Sequence, residues 1–138
     1  MKKKVYISGM MSNLPRSEYM LLFHKAEMLI QKEGYEAVNP TRFPPCRWPW
    51  LYKRMGYTLT LLYDLLCLSH CDLIYKMQGW QESRGANIES CWAYHFKIWQ
   101  LPTKVRERID KRMARFIDKR EQELSKDDNN AELLQPVQ

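Results

Sequence analysis

The spacing of hydrophobic residues predicts strands that alternate with helices along most of the chain. Short apolar runs of strand type occupy three segments: residues 3–8, 35–38 and 72–77. Each run is followed within two residues by glycine or proline, as expected where a strand gives way to a turn. The pattern indicates a short strand that opens the chain and two more that follow helical stretches.

Between these runs the hydrophobic positions recur with the period of a helix. The first helix follows Ser17, which is suited to cap its start, and ends at Gly34, which is suited to the left-handed position after a helix. A second, apolar helix is predicted over 58–70, and a third over 86–99 with Ile88, Trp92, Phe96 and Trp99 on its core side. Strands alternating with helices predict an α/β fold with a parallel sheet covered on both faces.

The C-terminal third of the chain is more polar and gives weaker signals. Residues 100–105 form a candidate fourth strand despite Pro102. A charged helix is predicted over 103–125, with Val105, Ile109, Phe116 and Ile117 on its inner side, and a mobile tail over 126–138. Residues 1–102 would then form the α/β domain.

Residues 41–57 are rich in proline and aromatic side chains and are interpreted as a long loop. Structureless loops longer than about 12–15 residues in compact domains are usually functional or disordered, and this one is too aromatic for disorder alone. It either packs on the core as a cover, or covers a substrate, or contacts another subunit.

Size, charge and cysteine content narrow the class of protein. The 138 residues, 45% hydrophobic, suit one globular domain, and no apolar run approaches the roughly 20 residues of a membrane span. Polar residues interrupt the start too early for an export signal, and the four cysteines include no CxxC pair, so we expect reduced thiols and a cytoplasmic protein. The net charge of +6 is modest and acids interleave with the bases, which makes nucleic-acid binding a minor alternative.

Metal binding is also a minor alternative. Cys67, His70 and Cys71 are spaced to share one face of a helix. A closed metal site needs four ligands at recognisable spacing, so these residues are interpreted as small core residues and no metal or other cofactor is predicted.

Two loops carry the candidate chemistry because ligands of open parallel α/β sheets bind beyond the carboxyl ends of the strands. The first loop follows Ser8 and the second spans 79–89, with the sequence GWQESRGANIE. Glu89 is predicted near the start of its helix, where the unpaired amide groups would favour an ionised carboxylate. The alternative is that Glu89 only complements the helix dipole.

Asp64 is the only charged residue in the apolar helix over 58–70. Its face of that helix is predicted to be buried, and an unpaired buried carboxylate is costly. Asp64 therefore either has a hydrogen-bonding partner or lies beside an accessible cavity.

Taken together, four segments resemble the nucleoside 2-deoxyribosyltransferase-like family, which is related to the nucleoside 5′-monophosphate N-glycosidases. They are YISGMM at 6–11, GYEAVNP at 34–40, the Asp64 helix with CDLIY at 71–75, and GWQESRGANIE at 79–89. The match is closest to a phage and bacterial branch with a YISGPM-like start and an SRGA-x-x-E segment. The resemblance covers about residues 3–101 and depends on the order and spacing of the segments.

The resemblance implies a doubly wound, flavodoxin-like sheet of about four to five strands and cleavage of N-glycosidic bonds. Glu89 matches the nucleophilic glutamate of that family, Asp64 the aspartate that works beside it, and Tyr6 the tyrosine that helps to hold the nucleophile or the sugar. Gly9 matches the glycine that lets the ligand approach the backbone.

One departure from the family pattern concerns Ser83, six residues before the nucleophile, where base-exchanging transferases carry an aspartate. In the related monophosphate glycosidases this position is a serine that contacts phosphate, and Arg84 would add a bidentate phosphate partner. The alternative is an ordinary polar turn. Gly85 provides room for a ligand or a tight turn. In a second departure, Met10 replaces the usual proline.

The sequence therefore predicts an enzyme that cleaves a nucleoside or nucleoside 5′-monophosphate and transfers the sugar to water or a base. Family members are commonly oligomers, so a homodimer or larger assembly is expected. The alternatives are a non-catalytic binding protein for a nucleotide or NAD-derived ligand and a structural protein. The predicted site comprises the catalytic residues Glu89, Asp64 and Tyr6 and the substrate-binding residues Ser8, Gly9, Met10, Ser83, Arg84 and Gly85.

Overall fold

A four-stranded, all-parallel sheet forms the centre of the molecule. The computed structural model describes residues 2–11 and 14–134, with side chains described as far as residue 129. The strands, ordered β2-β1-β3-β4 across the sheet, are β1 (Lys4–Ser8), β2 (Glu36–Val38), β3 (Leu73–Lys76) and β4 (Trp99–Gln100). The parallel pairing confirms the predicted flavodoxin-like α/β fold.

Five α-helices accompany the sheet. They are α1 (Arg16–Lys32), α2 (Pro44–Arg47), α3 (Pro49–Ser69), α4 (Arg84–His95) and α5 (Thr103–Leu134). Short 3-10 turns at Pro40–Arg42 and Trp80–Glu82 precede α2 and α4. No helix in the described ranges is both long enough and apolar enough to cross a membrane.

The two faces of the sheet bury different helices because successive side chains of a strand point in opposite directions. Val5 and Ile7 of β1 pack with residues of α1 and α5. Tyr6, between them, packs with residues of α3 and α4 on the other face. The strand order reverses at β1, so the carboxyl ends of β1 and β3 form the crevice where such folds bind ligands.

Helix α1 confirms the first predicted helix and corrects its start. Phe23 and Ile30 are fully buried, and Gly34 has the predicted left-handed conformation with φ of 91°. Ser17 does not cap the helix, because the helix already begins at Arg16, with Pro15 before it and no side-chain cap. The φ angle of proline is fixed at a value that suits the start of a helix. Pro15 therefore directs the chain into α1 without a capping hydroxyl.

A buried acid that the sequence pattern did not reveal fixes the turn after β2. Glu27 of α1 is 6% exposed and accepts a hydrogen bond from Nδ2 of Asn39 at 3.1 Å. It also pairs with the Arg42 guanidinium at 3.1 Å. Asn39 in turn accepts hydrogen bonds from the backbone and the hydroxyl of Thr41. This network positions the chain that enters α2.

The long loop predicted over 41–57 is wrong, because most of the segment is helical. Pro44 and Pro49 occupy the first turns of α2 and α3, where a missing amide hydrogen leaves no helical bond unmade. Prolines that suggest a loop in the sequence therefore start helices here. Gly56, with φ of 78° and ψ of 173°, interrupts α3 and separates its aromatic first part from its buried second part.

The predicted helix over 86–99 is also corrected at both ends. Helix α4 begins at Arg84 and ends at His95, and Lys97 has a positive φ of 57° before β4. The fourth strand accordingly comes at Trp99–Gln100 instead of 100–105. Phe96 and Trp99 are more than half exposed, because small residues, Ala86 and Ala93, bring the other side of α4 close to the sheet.

Helix α5 extends the predicted charged helix. Ile109 is buried as predicted, and Met113 joins it in the core. The helix continues to Leu134 instead of ending at 125, so the segment predicted to be mobile from 126 is helical as far as the description reaches. Helix propagation is cooperative, and the charged sequence has no proline or glycine to stop it before that point. Residues 135–138 of the predicted tail lie outside the described residues.

Candidate active site

A buried carboxylate stands above the carboxyl end of β1. Glu89 of α4 is 7% exposed, and its two oxygens accept hydrogen bonds from the first strand. The Tyr6 hydroxyl donates to Oε2, and the Ser8 hydroxyl donates to Oε1 at 3.1 Å. Tyr6 and Ser8 point the same way because they are two residues apart on one strand. The sheet thus fixes the orientation of the Glu89 carboxylate.

The protonation of Glu89 is set by burial and not by the helix dipole. Helix α4 begins at Arg84, so Glu89 lies in its second turn and no acid occupies the first turn. The dipole effect fades beyond the first turn, which makes the prediction of a dipole-stabilised carboxylate wrong. Burial raises the pKa of Glu89 to about 7, although the hydrogen bonds from Tyr6 and Ser8 oppose the shift.

Asp64 of α3 supplies a second carboxyl group within electrostatic reach of Glu89. Burial, followed by the charge of Glu89, raises the pKa of Asp64 to about 8. No hydrogen-bond donor in the described part of the chain offsets this rise. Two neighbouring carboxyl groups with raised pKa values favour a state in which one of them keeps its proton near neutral pH.

Tyr6 remains a hydrogen-bond donor throughout the working pH range. It is fully buried, and burial together with the charges of Glu89 and Asp64 raises the pKa of its hydroxyl well above 10. Because the Tyr6 phenol stays protonated, it can donate a hydrogen bond to the Glu89 carboxylate without placing a second negative charge beside it.

Glu89 and Asp64 open onto a cavity of about 850 Å³. Its walls come from the loop after β1, the start of α1, the segment from Pro40 to Asp64 and the start of α4. The residues that line it are Gly9, Met11, Arg16, Tyr19, Pro40, Pro45, Cys46, Pro49, Tyr52, Lys53, Tyr57, Thr60, Leu61, Asp64, Ser83, Arg84, Gly85, Ala86 and Glu89. The size suits a drug-sized or nucleotide-sized ligand.

Most of the predicted substrate-binding residues meet at this cavity. Gly9, Ser83, Arg84 and Gly85 line it, whereas Ser8 lies behind Glu89 as its hydrogen-bond donor. Met10 lies elsewhere and lines a separate cavity of about 110 Å³, while Met11 faces the larger one. The turn after β1 directs the two methionines to different sides.

Two of these residues also have structural duties. Ser83 caps α4 by accepting a hydrogen bond from the Ala86 amide at 3.3 Å. Its hydroxyl proton is free to be donated to a ligand. At Gly9 a Cβ atom would meet the terminal methyl group of Met77, just after β3, so a larger residue here would require that flexible side chain to move.

Sequence analysis missed Thr60, which lies one helical turn before Asp64. Its Oγ1 atom is buried without a hydrogen-bond partner in the described part of the chain, and the residue lines the cavity. A buried orphan hydroxyl is costly unless a ligand or water completes it. Its spacing of four residues from Asp64 on a helix was the signal that could have identified it.

The residues that the structure describes contain no group of three or more metal-ligating side chains that could hold a metal ion. Cys71 packs in the core with Leu68 and Ala93 as predicted, whereas Cys67 is only partly buried and His70 is exposed.

The sequence model of one protein family matches residues 3–99, and its description is Domain of unknown function (DUF4406). The chain belongs to this family. The DUF4406 segment includes all four strands except the last residue of β4, and it contains Glu89, Asp64 and Tyr6. No curated protein and no solved structure matches the chain.

Proposed function

We propose that this DUF4406 protein cleaves the N-glycosidic bond of a nucleoside or nucleoside 5′-monophosphate, with Glu89 as the nucleophile. The observation that carries the proposal is the Glu89 carboxylate, held by Tyr6 and Ser8 at the switch point of the sheet and open to a large cavity beside Asp64. The family resemblance described above supports the same chemistry.

The reaction follows the two-step course of retaining glycosidases. The Glu89 carboxylate attacks C1′ of the sugar while the bond from C1′ to the base nitrogen breaks. That nitrogen keeps the electron pair and takes the Asp64 proton. Water then attacks C1′, returns a proton to Asp64 and releases Glu89; a second base replaces water if the enzyme is a transferase.

The raised pKa values support this division of roles. Glu89, near 7, has a substantial ionised fraction at neutral pH, whereas Asp64, near 8, is mostly protonated. Carboxyl pairs whose environments separate their pKa values commonly divide into an acid and a nucleophile or base. Asp64 thereby supplies the proton that the aspartate replaced by Ser83 would otherwise provide.

A phosphate on the substrate fits the start of α4. Ser83 and Arg84 both line the cavity, and the Arg84 side chain is exposed there. Arginine binds phosphate oxygens in bidentate fashion, and the serine hydroxyl adds a donor. We therefore favour a nucleotide over a nucleoside as substrate.

The four cysteines are unpaired, which fits a reducing compartment such as the cytoplasm.

The experiment is incubation with a panel of nucleosides and nucleoside 5′-monophosphates, with and without a free acceptor base. Released base is followed by chromatography and mass spectrometry for the wild type and Glu89→Ala. Base release that the substitution abolishes supports the proposal, and a preference for monophosphates supports the phosphate role of Ser83 and Arg84. If nucleotide binds but stays intact, the protein is a binding module instead.

We further propose that the protein forms a homodimer through α3 and the residues just before it. Large exposed apolar patches usually mark interaction sites. Most of the exposed large apolar side chains lie in this segment: Trp48, Trp50, Tyr52, Tyr57, Leu59, Leu62 and Leu66. At about 100 Å² each they offer on the order of 700 Å² per copy, close to the roughly 800 Å² of a standard interface.

Light scattering after size-exclusion chromatography tests the homodimer. We expect twice the 16.7 kDa chain mass for the wild type and for Leu124→Lys, which alters an exposed leucine of α5. Leu62→Lys, at the centre of the patch, should yield monomers. A monomeric wild type at micromolar and higher concentrations would refute the dimer.

A further inference from the structure

Three cationic side chains from three different helices line the candidate cavity. Arg16 belongs to the start of α1, Lys53 to the first part of α3 and Arg84 to the start of α4. All three side chains are exposed, whereas Glu89 is buried. The entrance of the cavity therefore carries three cations, and its interior carries the carboxyl groups of Asp64 and Glu89.

Helix α3 lies against the start of α4 at the wall of the cavity. The Tyr57 hydroxyl lies 3.5 Å from the position that a Cβ atom on Gly85 would occupy, so α3 touches the start of α4 beside Arg84. Lys53 lines the same cavity from the first part of α3, before the Gly56 interruption.

Arg16 is held against the segment that precedes α3. Its Nη2 atom donates to the carbonyl oxygens of Cys46 and Arg47, at 3.3 and 3.2 Å, just before α3 begins. A guanidinium group has five donor hydrogens, so these bonds leave others for a ligand.

Within residues 2–11 and 14–129, no carboxylate forms an ion pair with any of the three cations. The ion pairs found there involve His24, Arg42, Arg108 and Arg120. Among the described residues, the acids that line the cavity are Asp64 and Glu89, whose raised pKa values reduce their negative charge at neutral pH. Uncompensated cations around a concave site favour a ligand with several negative charges.

One phosphate at Ser83 and Arg84 leaves Lys53 and Arg16 without an anionic partner among the described residues. The cavity volume of about 850 Å³ also lies toward the upper end of the roughly 300–1,000 Å³ that ligand pockets usually span. We propose that the cavity takes a nucleotide with a pyrophosphate group, the second phosphate being bound by Lys53 and Arg16. This inference rests on the proposed function, since it extends the phosphate site beside Glu89. A nucleoside 5′-diphosphate and a pyrophosphate-linked dinucleotide share this chemistry.

Isothermal titration calorimetry on the full chain with Glu89→Gln, which halts turnover, tests the proposal. The ligands are a nucleoside, its 5′-monophosphate, its 5′-diphosphate and a pyrophosphate-linked dinucleotide, all at about 0.15 M salt to limit non-specific attraction. Lys53→Met is compared with Arg54→Met in this background. Both remove one positive charge from neighbouring exposed positions of α3, but only Lys53 lines the cavity.

We expect the diphosphate or the dinucleotide to bind about tenfold more tightly than the monophosphate. Lys53→Met should remove most of that advantage and weaken monophosphate binding far less than diphosphate binding. Arg54→Met should leave both affinities as they are. Tighter binding of the dinucleotide than of the diphosphate identifies the dinucleotide as the ligand source, and the reverse identifies the diphosphate.

Equal affinity for mono- and diphosphate overturns the inference and leaves the proposed function intact. An equal loss in Arg54→Met also overturns it, because the effect would then come from net charge alone. If none of these ligands binds, the proposed function fails together with the inference.

Discussion

At the scale of single residues, the proposed reaction assigns the nucleophile to Glu89 and the acid to Asp64. Tyr6 and Ser8 donate hydrogen bonds to Glu89 and oppose the rise of its pKa, so burial raises it only to about 7. For Asp64, burial and the charge of Glu89 raise the pKa to about 8, and no hydrogen bond within the described residues opposes them. The positions of Glu89 and Asp64 in the sequence do not by themselves show which carboxyl group has the higher pKa.

The raised pKa values predict that stability falls as pH rises. In the folded protein Glu89 and Asp64 keep their protons to about pH 7 and 8, against ordinary values of 4.5 and 3.8. The folded state thus binds more protons than the unfolded state across this interval, so its stability is highest at the acid end and declines toward pH 8. The contribution of Glu89 alone is on the order of 3 kcal/mol.

Urea denaturation at pH 5 and pH 8.5 measures this effect. Glu89→Gln should flatten the dependence of the unfolding free energy on pH. Glu82→Gln, which alters an exposed acid of the same segment, should leave it as in the wild type. A slope that is the same in all three proteins would show that Glu89 does not titrate as described.

Thr60→Val should separate ligand binding from folding. The Thr60 hydroxyl has no partner in the described structure, so an equally shaped apolar side chain should stabilise the free protein by about 1 kcal/mol. The variant should at the same time bind nucleotide several-fold more weakly, because Thr60 lines the cavity and its hydroxyl is available to pair with a bound ligand. Thermal unfolding with and without nucleotide measures both effects, and a loss of stability in the free protein would contradict the unpaired hydroxyl.

At the scale of elements, the interrupted helix α3 joins the core to the cavity. The part after Gly56 carries Leu65 and Leu68 into the core, and the part before it carries Tyr52 and Lys53 to the cavity. A backbone with φ of 78° and ψ of 173° is essentially restricted to glycine. The backbone conformation of Gly56 therefore sets the direction of the first part of α3 relative to the second part.

Gly56→Ala should reduce stability by about 1–2 kcal/mol and also weaken nucleotide binding. Gly34→Ala is the matched control, because Gly34 also has a positive φ with open space around its missing Cβ atom and does not line the cavity. It should show a similar loss of stability with unchanged nucleotide affinity. Calorimetry on both variants decides, and equal affinities in the two would disprove the special role of Gly56.

The elements also show why the sequence predicted some features and missed others. Tyr6 was predicted only through the family resemblance, whereas the strand-end rule brought Gly9 and Ser83 to one edge. Sequence patterns predicted the wrong structure where contacts between distant parts of the chain determine the conformation. Prolines at 44 and 49 begin helices, and α4 turns Glu89 and Ala93 toward the sheet while its larger aromatic residues lie at the surface.

At the scale of the whole molecule, the fold provides two faces with different tasks. One face of the sheet is covered by α1 and α5 and forms the larger core cluster. The other face, under α3 and α4, carries the Glu89 site and the exposed apolar patch. The sequence predicted that helices cover both faces of the sheet. It did not predict that the cavity and the apolar patch lie side by side, because this depends on the path of residues 40–56.

Base release by wild type, Glu89→Ala and Glu82→Ala, measured with and without added formate, tests the central claim that Glu89 is the nucleophile. The truncated side chain leaves space for a small carboxylate, so formate should restore part of the release that Glu89→Ala loses, while Glu82→Ala should match the wild type throughout. Undiminished release by Glu89→Ala would contradict the claim, as would a wild type that binds nucleotide and leaves it intact.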